Sequence, residues 1–403
     1  MRLIFVNRFF YPDHAATSQL VSDLAFKCVE WGYEVAVVTS RQRYDDASVR
    51  LPEYEVAKGV RIFRISGTHF GRHSGPGRVL DYVSFVYGAR KRLKELVTRN
   101  TIVVAKTDPP MLGMFLAPVV LGRGGILVNW LQDVFPETLT ALHPSRVLRA
   151  GLAPLRFLRN QGLKSAVLNV AIGRRMRDYL LSEGIRTRRL GVIRNWPHDS
   201  EEAAGAEAEL EQKWGLGDRF VVGYFGNLGR VHEYETILGA MMAVEPDPGI
   251  VFLFVGGGAL LERLKAKVEE YGLRNFVHRD YVPREELPAA LKVADVHLVV
   301  LQPALEGFVV PSKFAGVVAA GRPVLYIGDP RGEIGTMVRK GQCGQVVGIG
   351  DSERLGGAIR ELAGDPALAS GMGQAALRVY DRFYRSEMLF GQWRKVFDKL
   401  GEG

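Results

Sequence analysis

The sequence predicts an α/β protein built from two Rossmann-like, doubly wound domains in tandem. Three observations carry this reading. The 403 residues exceed what one hydrophobic core usually organises. Short apolar, β-branched runs alternate with amphipathic helical stretches, the pattern of a parallel sheet covered by helices. The alternation also runs twice, its two series parted by Asn195-Trp-Pro197 and an Ala/Glu-rich stretch over 201–211. The expected organisation is a first domain over 1–198, a second over 199–380, and over 381–403 a terminal helix that crosses back to the first.

The first series opens as strand 3–6, loop 9–16, a helix from Thr17 and strand 34–39, a βαβ unit. Leu20, Leu24 and Cys28 recur at i, i+4 beside Val21, Ala25 and Val29, and Gly32 offers a C-terminal stop. Further strands are expected at 60–65, 102–106, 126–131 and 167–171. In the second series six strands are expected, at 219–225, 250–255, 277–280, 296–301, 323–327 and 344–347, and 367–400 reads as helical. Open parallel sheets bind ligands beyond the C-terminal ends of their strands. Two such domains are therefore expected to share their chemistry across a cleft.

Composition narrows the function classes. No apolar run reaches the roughly 20 residues of a spanning helix, and no charged segment with an apolar core and cleavage site precedes the first strand, so a cytoplasmic location is expected. Only Cys28 and Cys343 are present, which supports neither a disulfide framework nor a zinc site. The net charge of +9 divides into +15 up to residue 198 and −6 beyond it. A basic first half points to an anionic partner, or is simply a solvated surface. Within it, Arg146, Arg149, Arg156, Arg159 and Lys164 interleave with Val147, Leu148, Leu152, Leu155, Phe157, Leu158 and Leu163. Such a segment either lies at an anionic membrane surface or packs on the sheet as an ordinary surface helix. No nucleic-acid motif accompanies the basic residues, so no nucleic-acid partner is expected.

Several motifs sit at expected strand ends. Gly226-Asn227-Leu-Gly229-Arg230 follows strand 219–225 and precedes a helix: the glycines let backbone approach a ligand, the helix supplies N–H groups, and Arg230 can bind phosphate oxygens bidentately. Pro311-Ser312-Lys313 reads as the opening turn of another helix. A cation there opposes the helix dipole, which an anionic ligand would explain. Glu306, just upstream, is a candidate acceptor for ribose or sugar hydroxyls, and Tyr281 a candidate to approach a nucleobase; each is equally readable as structural. His14-Ala-Ala-Thr17-Ser18 joins the first strand to the first helix with small residues, and Thr17 and Ser18 also suit helix caps. The dinucleotide glycine fingerprint is missing there, which argues against a nicotinamide dehydrogenase. Asp108 in Lys106-Thr-Asp-Pro-Pro110, and Asp133 and Glu137 in Gln132-Asp-Val-Phe-Pro-Glu137, follow two further strands. Asp133 and Glu137 are candidates to take a proton from an acceptor hydroxyl, or to cap the helix that follows.

In this order the motifs resemble the bacterial family 4 glycosyltransferases of exopolysaccharide and lipopolysaccharide assembly. The similarity rests on Phe10-Tyr-Pro-Asp13, Thr107-Asp-Pro-Pro110, Gln132-Asp-Val-Phe-Pro-Glu137, Gly226-Asn-Leu-Gly-Arg230, Val310-Pro-Ser-Lys313 and Ala319-Ala-Gly-Arg-Pro-Val324, and runs nearly end to end. It implies a GT-B fold, a UDP- or GDP-sugar donor held mainly by the second domain, and a glycan or polyprenyl-diphosphate-linked acceptor on the side of the first. It also implies transfer with retention, no required metal or other cofactor, and Arg230 and Lys313 as stabilisers of the departing diphosphate. The chain departs from the family at Gln132, where many members carry histidine, and at Phe314-Ala-Gly316, where many carry glutamate. Those departures keep a non-catalytic binding subunit in view, and a nucleotide-sugar epimerase of the same fold is a second enzyme reading.

Overall fold

The computed structural model describes residues 1–13, 15–43, 49–68, 70, 75–198, 205–229 and 231–402. The chain divides into two compact units, one of residues 1–194 with 387–403 and one of residues 195–386.

The first unit runs β1 (Arg2–Val6), α1 (Ala16–Glu30), β2 (Glu34–Ser40), β3 (Tyr54–Ala57), β4 (Val60–Ile65), α2 (Gly75–Leu96), β5 (Ile102–Lys106), α3 (Leu112–Gly122), β6 (Ile126–Trp130), α4 (Glu137–Leu142), α5 (Arg146–Gly151), α6 (Ala153–Ser165), β7 (Leu168–Ala171), α7 (Arg174–Ser182) and β8 (Leu190–Val192). Its eight strands lie in the order β3-β4-β2-β1-β5-β6-β7-β8, parallel except where β3 pairs antiparallel with β4. The central strands are apolar on both faces, as a sheet covered on both sides requires. Phe85, Ala89 and Leu93 of α2 and Leu112, Leu116 and Val120 of α3 close one face over Ile4, Val6 and Ala105. Strands β3 and β8 escape the periodicity reading because both are short and half-exposed edges.

The second unit comprises α8 (Ala206–Trp214), β9 (Phe220–Phe225), α9 (Glu235–Val244), β10 (Ile250–Val255), α10 (Ala259–Glu270), β11 (Phe276–Arg279), α11 (Leu287–Val293), β12 (Val296–Val300), α12 (Lys313–Ala319), β13 (Val324–Ile327), α13 (Glu333–Gly341), β14 (Gly344–Val347), α14 (Ser352–Gly364) and α15 (Pro366–Phe383). Its six strands are all parallel, in the order β11-β10-β9-β12-β13-β14. Alternation along β9 divides the core: Val222 and Tyr224 pack with α9, α10 and α14, while Val221 and Phe225 pack with α8 and α11.

The helical segment expected over 367–400 is two helices. Tyr384 breaks it, turning its ring onto Phe314 at 5.7 Å and its hydroxyl onto Met337 Sδ at 3.4 Å. Beyond it α16 (Ser386–Gly401) packs on the first unit's sheet. Trp393 meets Trp130 with ring centroids 4.9 Å apart, and Phe397 meets Phe5 at 6.2 Å. Both α16 rings are fully buried.

Candidate functional site

In the second unit the connections reverse direction between β9 and β12, and the crevice at such a switch point is where open α/β sheets bind ligands. The turn after β9 and the opening of α12 flank it. Lys313, the first residue of α12, sends Nζ back to the Asn227 carbonyl at 2.9 Å, 3.3 Å from His232 Nε2 and 4.7 Å over the Tyr224 ring. The Tyr224 hydroxyl donates to the same carbonyl at 3.2 Å. All these partners are neutral or aromatic, and burial pushes the amine down to about 7. Among the described residues, the site therefore holds an amine with no carboxylate partner.

Two glycines make this packing feasible. Gly226 has φ +99°, and a Cβ there would come within 3.2 Å of Lys313 Cε. Gly258, at φ +130°, would place a Cβ 2.5 Å from both Asn227 Oδ1 and the Leu228 carbonyl. The turn is tied to its neighbour by Gly226 N–H to Val255 O and Leu228 N–H to Gly257 O, each 2.7 Å.

The structure revises several expectations here. The helix after the turn does not offer its N-terminus to a ligand, because the Glu233 carboxylate accepts the Thr236 N–H at 2.7 Å and fills the anion position itself. Pro311 precedes α12 by two residues, and Ser312 occupies the N-cap position without a capping bond from its side chain. Glu306 is committed to the framework: Tyr326 donates to it at 2.9 Å, and the Glu333 N–H, first in α13, donates at 3.1 Å. Phe314 is fully buried against Tyr384. Asn227 and Tyr281 are exposed, and Tyr281 lies across Gly257, 3.4 Å from a Cβ built there. Gly229 lies beside His232. Arg230 and His14 lie outside the described residues.

In the first unit the switch point falls between β1 and β5. Arg8 N–H donates to the Asp108 carbonyl at 2.8 Å, and its guanidinium lies 3.5 Å from Asp81 and 5.2 Å from the Tyr82 ring centroid. Lys106, 1% exposed, donates to the Thr17 carbonyl at 3.0 Å and lies 3.9 Å over Trp130; burial holds its amine well below the usual lysine range. Ser18 is buried with its hydroxyl turned to the Asp13 carbonyl at 3.2 Å. It acts inside the fold, and α1 has no side-chain cap from its N-cap residue.

Asp133 and Glu137 have different surroundings. Asp133 follows β6, half-buried, with Oδ1 lacking a hydrogen-bond partner among the described residues. Burial raises its carboxyl to about 6, with a Thr107 hydrogen bond opposing the shift and the charge of Asp108 adding to it. It lines a cavity of about 30 Å³ with Thr107, Asn129 and Arg159, room for one water. Glu137 is buried and ion-paired through one oxygen, while its Oε2 lacks a hydrogen-bond partner among the described residues. Arg159 Nη2 reaches it at 2.7 Å and the Tyr179 hydroxyl donates to the same oxygen. Its neighbour Glu183 takes Arg156 at 2.6 Å and Asn160 at 2.9 Å. Pattern reading also missed Arg8, Lys106 and His232. Their one sequence signal is position, directly after or at the end of a parallel strand or within the turn that follows it.

No group of three His, Cys, Asp or Glu residues among those described could hold a metal ion. No described helix is long and apolar enough to cross a membrane.

Residues 206–379 match the family described as glycosyl transferases group 1. The chain is 28% identical over 283 residues to "Probable glycosyltransferase WbjE" of Pseudomonas aeruginosa, covering 68% of this chain and 69% of that one. It is 25% identical over 337 residues to "Putative colanic acid biosynthesis glycosyl transferase WcaI" of Escherichia coli, covering 77% and 80%. Among solved structures, sucrose-phosphate synthase from Thermosynechococcus elongatus superposes with a TM-score of 0.78 at 16% identity over 99% of both chains. Anabaena HepE in complex with UDP-glucose superposes with 0.73 at 16% identity, over 99% of this chain and 100% of that one. A matching domain, relatives named as glycosyltransferases and a shared two-sheet architecture agree: the chain carries a glycosyl transferases group 1 domain over residues 206–379 and is a glycosyltransferase of GT-B fold.

Proposed function

We propose that the protein transfers a sugar from a UDP- or GDP-sugar to a growing glycan in cell-surface polysaccharide assembly. The observation that carries this is the Lys313 amine, held at the β9/β12 switch point by a carbonyl, an imidazole and an aromatic face. A diphosphate brought there supplies the missing negative charge, and as the sugar–oxygen bond breaks the amine stabilises the charge that develops on the leaving phosphate. Arg230, next in sequence to Gly229, is assigned to the diphosphate as well, and the exposed Tyr281 to the base. On the acceptor side Asp133 takes the proton from the attacking hydroxyl, with Asp108 beside it; Glu137 is left to the framework. The UDP-glucose bound to HepE and the colanic acid in the name of WcaI support the donor and pathway class.

A thermal-shift screen against UDP, GDP and their sugar conjugates tests the donor reading, since a ligand of the native state raises apparent stability. A selective shift that Lys313→Ala abolishes is expected. No shift with either nucleotide or conjugate sinks it.

We further propose that the first unit docks on an anionic bilayer to meet a polyprenyl-diphosphate-linked acceptor. Leu80, Val83 and Tyr87 form an exposed apolar stripe on α2, continued by exposed Lys91 and Lys94, while α5 and α6 expose Val147, Phe157 and Leu158 beside Arg146 and Arg149. Apolar side chains flanked by cations suit the interface of acidic lipid. Flotation with phosphatidylglycerol vesicles at low salt should carry the wild type upward and leave Phe157→Glu/Leu158→Glu behind; wild type that stays in the soluble fraction overturns the docking.

A further inference from the structure

His232 follows the β9 turn, 8% exposed, and each ring nitrogen faces a group that matters to the site. Nε2 lies 3.3 Å from Lys313 Nζ. Nδ1 lies 3.2 Å from both the N–H and the carbonyl oxygen of Gly229. The main chain holds the ring in place: the His232 N–H donates to the Gly229 carbonyl at 3.0 Å, and the His232 carbonyl accepts Gln302 Nε2 at 2.9 Å.

A neutral imidazole donates from one nitrogen and accepts at the other. While Lys313 is an ammonium ion, Nε2 must accept; the ring proton sits on Nδ1, donates to the Gly229 carbonyl, and the Gly229 N–H is free for a ligand. When Lys313 is a neutral amine, Nε2–H donates to its lone pair, and Nδ1 accepts the Gly229 N–H. The two arrangements differ by one proton. Passing from the second to the first, the Nε2 proton moves to Lys313 Nζ and Nδ1 takes up a proton from solvent.

We propose that His232 is a positioning residue that couples the charge on Lys313 to the Gly229 peptide, so that the turn presents a cation and a free N–H together and nucleotide diphosphate binding takes up one proton. The proposal rests on the reading that Lys313 meets the donor diphosphate. The groups around the pair fit it. Tyr224 of β9 presents its ring to Lys313, Asn227 its carbonyl, and Gln302 after β12 its amide to His232; the nearby carboxylate of Glu233 is turned to the Thr236 N–H. Burial, then the charge of Lys313, pushes His232 down to about 3, whereas burial alone takes Lys313 to about 7. The imidazole thus stays neutral, and the proton change falls on the amine in the neutral range.

The test uses the full-length protein with 15N-labelled histidine, His232 being assigned by the signal that His232→Gln removes, or His232→Asn should Gln misfold. Ring 15N shifts are expected to pass from the Nδ1–H to the Nε2–H pattern as pH rises through about 7, and to keep one pattern throughout in Lys313→Met. Calorimetric titration with UDP and GDP at pH ~8, in buffers of different ionisation enthalpy, should give uptake of about one proton in wild type and under about a third of that in Lys313→Met. A single tautomer at every pH overturns the coupling, as does full uptake in Lys313→Met. A tautomer change without nucleotide binding upholds the coupling and overturns the donor reading of Lys313.

Discussion

Lys313 stands where a helix end and a buried environment both disfavour positive charge, and no carboxylate among the described residues pairs with it. Its ordinary value of 10.5 falls to about 7 in the folded chain. Between those pH values the unfolded chain holds a proton that the folded chain has released, so the stability contribution of this residue rises with pH across that window. Lys313→Met should flatten that part of the stability curve in denaturant titrations. Bound donor reverses the preference, and Lys313→Ala should lower kcat/KM by about a hundredfold or more, as loss of an electrostatic stabiliser does. Asp133 carries the opposite kind of shift, its carboxyl raised from 3.8 to about 6. If it is the base, the rate rises with pH through about 6, and Asp133→Asn costs roughly 10²- to 10⁴-fold and erases that limb of the pH profile; an unchanged limb assigns the proton elsewhere. Lys313 and the glycines at 226 and 229 were readable in sequence because glycine and a misplaced cation are local signals. Arg8, Lys106 and His232 were not, since each is defined by a partner on a helix elsewhere in its unit: Asp81, the Thr17 carbonyl, Lys313.

At the scale of elements, Glu137 shows how a strand-end pattern leaves out partners that only the fold supplies. A carboxylate just past a strand end looks catalytic, and Arg156 and Arg159 look like the polar face of a membrane helix. Folded, they answer one another: α6 turns Arg159 inward to Glu137, and Arg156 bridges to Glu183 ahead of β8. Removing one member of a buried pair strands the other, so Arg159→Ala should lower stability by about 3–5 kcal/mol in urea unfolding while leaving the donor KM unchanged. The turn after β10 makes a second case. Gly258 adopts a φ that side chains rarely take, with two atoms of the neighbouring turn 2.5 Å from any Cβ. Gly258→Ala should displace the Asn227–Leu228 peptide and weaken nucleotide binding more than it lowers Tm. Equal losses in both would make this glycine a general framework residue.

Over the whole molecule, two largely parallel sheets were legible from alternation alone, and central strands such as β1, β2, β5, β10 and β12 needed no tertiary knowledge because both their faces are buried. The division of labour between them was less so. The first sheet is not complete within residues 1–194, for α16 covers it with Trp393 and Phe397. Trp393→Ala should cost about 3–5 kcal/mol as a core truncation, and the loss should appear as early melting of the first unit in hydrogen exchange, with β9 to β14 protected as before; uniform loss across both units would contradict this. Helix α16 also has a consequence in time. During synthesis the opening sheet must wait, with Trp130 and Phe5 uncovered, while residues 195–386 are added, a delay of about ten to forty seconds at ordinary elongation rates. The domain begun first is the domain finished last, and over that interval a holdase or a neighbouring nascent chain competes with α16 for the same aromatic face.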